Sequence, residues 1–186
     1  MTVDPYPPPG DLGEVLFTSE QIQARVAELG QQISEDFAGQ TPLLIGVLKG
    51  SAIFMADLVR AIPGPVEMDF LAVSSYGEAT KSSGIVKILK DLDQEVTGRS
   101  IVLVEDIIDS GLTMRFLIEH LNAQNPAALK TCSLLVRDSA QVDGLSLDYV
   151  GFTIPPSFVI GYGLDVAQRY RNLPYIGTYT GATTGG

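Results

Sequence analysis

The residues best placed to do chemistry lie between Ser100 and Thr113, in the stretch SIVLVEDIIDSGLT. Three acids, Glu105, Asp106 and Asp109, follow an apolar run, and Ser110, Gly111, Leu112 and Thr113 follow them. A run such as IVLV belongs inside a sheet and carboxylates resist burial, so the placement calls for a cap or a ligand. With the run as a strand and Thr113 onward as a helix, Asp109 to Thr113 form the strand-to-helix turn. Backbone N–H groups at such a turn have no intrahelical partners and face the positive end of the helix dipole. With two hydroxyls and a permissive glycine, the turn can wrap a phosphate. Glu105 and Asp106, hard carboxylates beside it, suit Mg²⁺ or the hydroxyls of a sugar. Read alone, the stretch also admits a plainer account, with Asp109 as an ordinary N-cap and Glu105–Asp106 as a solvated strand end. It is not a Walker A loop, because the GxxxxGK[ST] spacing is missing, and no GxGxxG occurs to suggest a dinucleotide fold.

The segments around this stretch must position it. Ile22, Val26, Leu29 and Ile33 recur at helical spacing, which predicts a helix from Ser19 to about Ala38 capped by Thr18 or Ser19. PLLIGVLKG reads as a strand ending at Lys49-Gly50, SAIFMADLVRAI as a helix stopped by PGP, and VEMDFLAVSSY as a strand. SYGEATKSSG, from 75 to 84, is polar and rich in glycine and serine, which predicts a mobile loop, and IVKILKDL after it alternates like a strand. TMRFLIEHLNA predicts a helix broken at Asn125-Pro126. KTCSLLVR, LDYVGFTI and SFVIGYG are further strand candidates, and GLDVAQRYRNLPYIG closes the domain with a loop or helical turn and a short extended end. Short apolar strands alternating with helices predict an α/β fold, a mostly parallel sheet flanked by helices. Ligands in such sheets sit beyond the carboxyl ends of the strands, here Lys49-Gly50, Glu105 to Thr113, Arg137-Asp138 and Gly161 to Asp165.

The totals narrow the partners. A chain of 186 residues is expected to be one domain, placed at 19–180 between a flexible proline-rich arm (1–18) and a flexible tail (181–186). Net charge is −10 and no Lys/Arg run occurs, which argues against nucleic acid. No apolar run approaches the ~20 residues of a membrane span, and no basic segment leads an apolar one as in a targeting signal. The single cysteine, Cys132, reads as a small buried hydrophobe; no intrachain disulfide can form, which suits a reducing cytoplasm. His120, the only histidine, falls on a helix surface, so catalysis cannot rest on a histidine dyad.

VLVEDIIDSGLT resembles the phosphoribosyl-pyrophosphate signature of the type I phosphoribosyltransferases, and the hypoxanthine-guanine branch of that family in particular. The resemblance extends from about Leu43 to Ile176. VLKGS is similar to the branch's pyrophosphate loop and SSYG to its mobile loop. SLLVR is similar to the strand that ends in its base-contacting lysine. PPSFVIGYGLD and YRNLPYIG are similar to its purine hood and C-terminal end. The resemblance implies the family fold with a small hood built largely by the C-terminal part. It also implies Mg²⁺-dependent transfer of a phosphoribosyl group from phosphoribosyl pyrophosphate to a 6-oxopurine. Under it, Glu105 and Asp106 hold the ribose hydroxyls and Mg²⁺, and Asp109 is the general base for the purine N7 proton. Ile107 and Ile108 lie within the signature, and Ser110, Gly111, Leu112 and Thr113 cradle the 5′-phosphate. Lys49 and Gly50 bind pyrophosphate across a cis Leu48–Lys49 peptide, and Arg171 reaches it from the far side. Asp165 ligates a second Mg²⁺, Phe158 stacks on the purine, the Val159 backbone bonds its edge, and Ser75 and Tyr76 close over the centre. Relatives form homodimers or homotetramers, although no surface patch in the sequence decides between them.

Two positions depart from the pattern. Arg137 stands where the family carries a lysine that donates to the purine O6, and its planar fork can bond bidentately. This opens the choice of base more than the reaction, and keeps xanthine beside hypoxanthine and guanine. Leu112 stands where many relatives carry a polar residue, at a position that mostly offers its N–H. A regulator that senses phosphoribosyl pyrophosphate while binding nucleic acid is the remaining alternative; the net charge and an intact Asp109 count against it.

Overall fold

The computed structural model describes residues 10–76, 85–140, 144–145 and 147–181, with the side chains of residues 75, 76 and 85 left out. Residues 1–9 of the expected arm, 77–84 of the expected loop and 182–186 of the expected tail lie outside the described residues.

The chain runs β1 (Leu12–Phe17), α1 (Ser19–Asp36), β2 (Leu43–Leu48), α2 (Ala52–Ala61), β3 (Glu67–Tyr76), β4 (Ile85–Lys90) and β5 (Ser100–Ile108). It continues with α3 (Leu112–Asn122), β6 (Ala128–Arg137), β7 (Tyr149–Ile154), β8 (Val159–Ile160) and β9 (Ile176–Tyr179). Six strands form one sheet in the order β4-β3-β2-β5-β6-β7, parallel except for the antiparallel edge strand β4. Side chains alternate across it. Leu44, Val102, Val104, Cys132 and Leu134 face the core beneath α1 and α2, and Leu43, Ile45, Val47, Ile101 and Leu103 face the core beneath α3. Burial on both faces is why these strands read as continuous apolar runs. Helix α1 buries Ile22, Val26, Leu29 and Ile33, and starts where the Thr18 and Gln21 side chains each accept the other's backbone N–H in a capping box.

Three expectations are corrected. Residues 12–17 of the expected flexible arm are strand β1, paired antiparallel with β9, which pairs with β8 in a second, three-stranded sheet. Leu16 and Phe17 pack on the main core, Phe17 stacking on Phe152 with centroids 4.0 Å apart, so burial holds a segment that its prolines made look loose. Glu105 and Asp106 do not follow the strand but lie inside it, because β6 continues the ladder past them: Glu105 pairs with Ser133 and Ile108 with Val136, and Asp109 is the first residue beyond the strand. The candidate strand SFVIGYG shortens to Val159–Ile160, since Gly161, Tyr162 and Gly163 turn with φ of 99°, 50° and 100°.

Candidate active site

Strand β2 has β3 on one side and β5 on the other: the chain runs outward from β2 through β3 to β4 and then crosses back to β5, from which it proceeds in the opposite direction. The crevice at that switch point, at the carboxyl ends of β2 and β5, is where an open α/β sheet accepts a ligand. There the loop after β2 meets the acids of β5. The Leu48–Lys49 peptide is cis, and a Cβ on Gly50 would overlap Asp106 Oδ2, so glycine is the residue that lets this carboxylate lie against the loop.

Beyond the acids, α3 begins at Leu112 with Gly111 as its N-cap, in the left-handed conformation (φ 75°) that glycine adopts freely, and no side chain caps it. Asp109 is therefore not the cap, and the amides of the turn are left for another acceptor apart from a 3.5 Å contact of Leu112 N–H with Ser110 Oγ. A cavity of about 90 Å³ opens on them, lined by Glu105, Ile107, Ile108, Asp109, Ser110, Gly111, Thr113 and Met114. Leu112 turns its side chain to solvent and is absent from the lining.

The two neighbouring acids open onto different cavities. Glu105, 6% exposed, borders the turn; Asp106, half-buried, borders a second cavity of about 190 Å³ with Ile107, Arg137, Phe158, Val159, Leu164 and Asp165. Burial, and next the charge of Asp106, push the Glu105 carboxyl well above its ordinary value. Burial also raises Asp106, against backbone N–H groups and the Arg171 charge, which lower it. A buried and a half-buried carboxylate that repel each other are a hard-oxygen pair whose ionisation a divalent cation favours, so the donor set fits Mg²⁺. Among the described residues no cluster of three or more His, Cys, Asp and Glu forms, so protein side chains alone do not close a metal cage.

On the second cavity's wall, Arg137 is 14% exposed. Its Nη1 donates to Ser157 O at 2.6 Å, and its Nε lies 2.9 Å from Asp109 Oδ1, held by charge because the N–H is not aligned on that oxygen. Asp109 thus touches both cavities, lining one and contacting the cation of the other. Phe158 is 43% exposed on the rim, edge-on to Tyr179 with centroids 5.9 Å apart, and Val159 is buried in β8 opposite Thr178. Arg171 donates through Nη1 to Gly163 O at 2.6 Å and pairs through Nη2 with Asp165 Oδ1 at 2.7 Å. Gly163 packs on the β2 loop so closely that a Cβ there would overlap Gly50 O.

Lys49, Gly50, Glu105 to Thr113, Arg137, Phe158, Val159, Asp165 and Arg171 therefore converge on this end of the sheet, as do the carboxyl ends that the sequence pointed to. Ser75 and Tyr76 end β3, and nothing is described of their side chains. Sequence reasoning missed Gln168, which bonds both Lys49 and Arg171, and the carbonyl of Ser157; a glutamine in a loop and a backbone oxygen leave no pattern to find. A larger cavity, about 500 Å³ between the end of α3 and the start of β6, lies at the opposite end of the sheet.

The family model described as a phosphoribosyl transferase domain matches residues 14–167. A hypoxanthine-guanine phosphoribosyltransferase of Mycobacterium tuberculosis is 53% identical over 176 residues, 91% of this chain and 87% of that one. Another, from Bacillus subtilis, is 51% identical over 90% of this chain and 93% of that one. The crystal structure of a hypoxanthine-guanine phosphoribosyltransferase from Bacillus anthracis superposes with a TM-score of 0.85 at 49% identity, covering 90% of this chain and 98% of that one.

Proposed function

The chain belongs to the phosphoribosyltransferase family, and from that premise we propose that it transfers the 5-phosphoribosyl group of phosphoribosyl pyrophosphate to hypoxanthine or guanine. The products are IMP or GMP and pyrophosphate, a step of purine salvage. The observation that carries this reading is the double contact of Asp109, which borders the cavity of the unfilled helix turn and lies 2.9 Å from Arg137 in the second cavity. A phosphate in the first and a purine in the second bring the anomeric carbon of one and a ring nitrogen of the other to the carboxylate between them.

In this reading the amides and hydroxyls of Ser110 to Thr113 hold the 5′-phosphate, and Glu105 and Asp106 face the ribose. Phe158 stacks on the purine, the Val159 backbone meets its edge, and Arg137 donates to its 6-oxo group. Asp109 accepts the N7 proton as the base nitrogen attacks. Lys49, the Gly50 backbone and Arg171 hold pyrophosphate on the opposite side, where negative charge gathers as the bond to the anomeric carbon breaks. Ser75 and Tyr76 close over the centre and exclude water. Glu105 and Asp106 are the residues to hold Mg²⁺, with Asp165 for a second ion once Arg171 turns to pyrophosphate. When bound, the metal supplies positive charge to the departing pyrophosphate and to the phosphoribosyl pyrophosphate oxygens. No helix among the described residues is long and apolar enough to cross a membrane; the reading places the enzyme in the cytoplasm, as a homodimer or homotetramer that sedimentation would distinguish.

The test mixes the protein with Mg²⁺, phosphoribosyl pyrophosphate and one base at a time (hypoxanthine, guanine, xanthine or adenine) and follows ultraviolet absorbance. Turnover with hypoxanthine or guanine is expected. No turnover with any 6-oxopurine defeats the reading, and a clear preference for xanthine assigns Arg137 to a different base.

A further inference from the structure

We propose that the side-chain oxygen of Gln168 is a stand-in for a pyrophosphate oxygen, holding Lys49 and Arg171 in the ligand-free protein and releasing them when pyrophosphate or phosphoribosyl pyrophosphate binds. This inference rests on the reading of Lys49 and Arg171 as the cations of the pyrophosphate subsite.

Lys49 lies after β2 in the main sheet and Arg171 in the loop before β9, so no secondary-structure element holds one against the other. One atom joins them. Gln168 Oε1 accepts from Lys49 Nζ at 3.3 Å and from Arg171 Nη2 at 3.3 Å. The rest of Gln168 is anchored on the same side: its backbone N–H donates to Asp165 Oδ2 at 2.7 Å, while Asp165 Oδ1 pairs with Arg171. A neutral carbonyl oxygen between two cations does in part what a pyrophosphate oxygen does fully, screening their repulsion and fixing their spacing. Both bonds are at the long limit for N–H···O contacts and the residue is exposed, so the grip is weak enough for an anion to displace. Charge sets the order of affinity, since an oxygen carrying negative charge outcompetes an amide oxygen for ammonium and guanidinium donors.

The consequence is that Gln168 opposes pyrophosphate and leaves the base untouched. Gln168→Leu keeps a side chain of similar bulk, one atom shorter, and removes the acceptor, so inorganic pyrophosphate with Mg²⁺, measured by calorimetry on the whole protein, should bind roughly two- to fivefold tighter. Gln168→Glu puts a carboxylate between the cations and should weaken pyrophosphate by about tenfold at low salt, less at high salt as the ion pairs are screened. In turnover, KM for phosphoribosyl pyrophosphate should move with these values while KM for the base stays within about twofold. Unchanged or weaker pyrophosphate binding by the Leu variant overturns the proposal, as does a Glu variant that binds pyrophosphate like the parent. A parent protein that turns over oxopurines but whose Lys49 and Arg171 variants bind pyrophosphate normally refutes the subsite itself. A parent that turns over no oxopurine refutes the broader reading instead.

Discussion

Arg137→Met removes every donor of this side chain while keeping most of its apolar stem, and the structure indicates what is lost. The pair with Asp109 is worth little, about 0–1 kcal/mol, because the Asp109 side chain is 71% exposed and the N–H is not aligned. Losing the 2.6 Å bond to Ser157 O, beside an arginine only 14% exposed, leaves a carbonyl without its charged donor and loosens the segment before β8 that carries Phe158. Nε faces Asp109 and one Nη1 N–H goes to Ser157 O, so in the proposed reading Nη2, which has no partner among the described residues, is the nitrogen left for the 6-oxo group. Losing one hydrogen bond from a charged donor costs about 1.5–3 kcal/mol, a fall of roughly 10- to 150-fold in kcat/KM for the base. Steady-state kinetics with each substrate varied in turn is the assay. KM for phosphoribosyl pyrophosphate should stay within about threefold, because Arg137 lines the second cavity and not the turn. Arg137→Lys, whose single ammonium cannot serve Asp109, Ser157 and the base together, should shift the ratio of hypoxanthine to guanine and xanthine turnover. If kcat/KM for the base stays within threefold in the Met variant, or if base preference is unmoved in the Lys variant, Arg137 does not read the purine.

Asp109→Ala should slow the chemical step by about 10²–10⁴-fold, the usual contribution of a general base, while phosphoribosyl pyrophosphate still binds in a direct titration; unchanged turnover removes Asp109 from that role. Gly163→Ala places a Cβ against Gly50 O at a φ of 100°, so it should destabilise the fold by about 1–3 kcal/mol in a denaturant titration. An Ala variant as stable as the parent would show that the hood and the β2 loop do not pack as described.

The elements around the signature were legible because burial on both faces writes strands as unbroken apolar runs, and because α1 announces itself through one apolar stripe and a Thr-to-Gln cap. Strand β1 was not legible. Val15 on β1 is 43% exposed, and β1's partner lies at the far end of the chain, so no local pattern declares it. The strand was ended too early: Glu105 and Asp106 resemble a strand's end by polarity, whereas hydrogen bonding to β6 carries it to Ile108, four residues past Val104. The resemblance named residues that the fold gathers at one end of the sheet, since side-chain types at fixed spacing survive in sequence. The contacts among them did not: Arg137 against Asp109 and Gln168 between Lys49 and Arg171 depend on loop paths that composition does not encode.

The pairing of β1 with β9 also bears on how the protein is made. Glu14 N–H donates to Thr178 Oγ1 across 164 residues of chain, so the small sheet closes only after nearly everything between has been synthesised. The main sheet, built from neighbouring β-α-β units, can assemble as the chain emerges, since closing short loops precedes closing long ones. Val159, on the strand that joins β9, and Phe158, just before it, reach their positions in that last step. On the proposed reading, a nascent chain would possess the turn for a phosphate well before it possesses a place for the base.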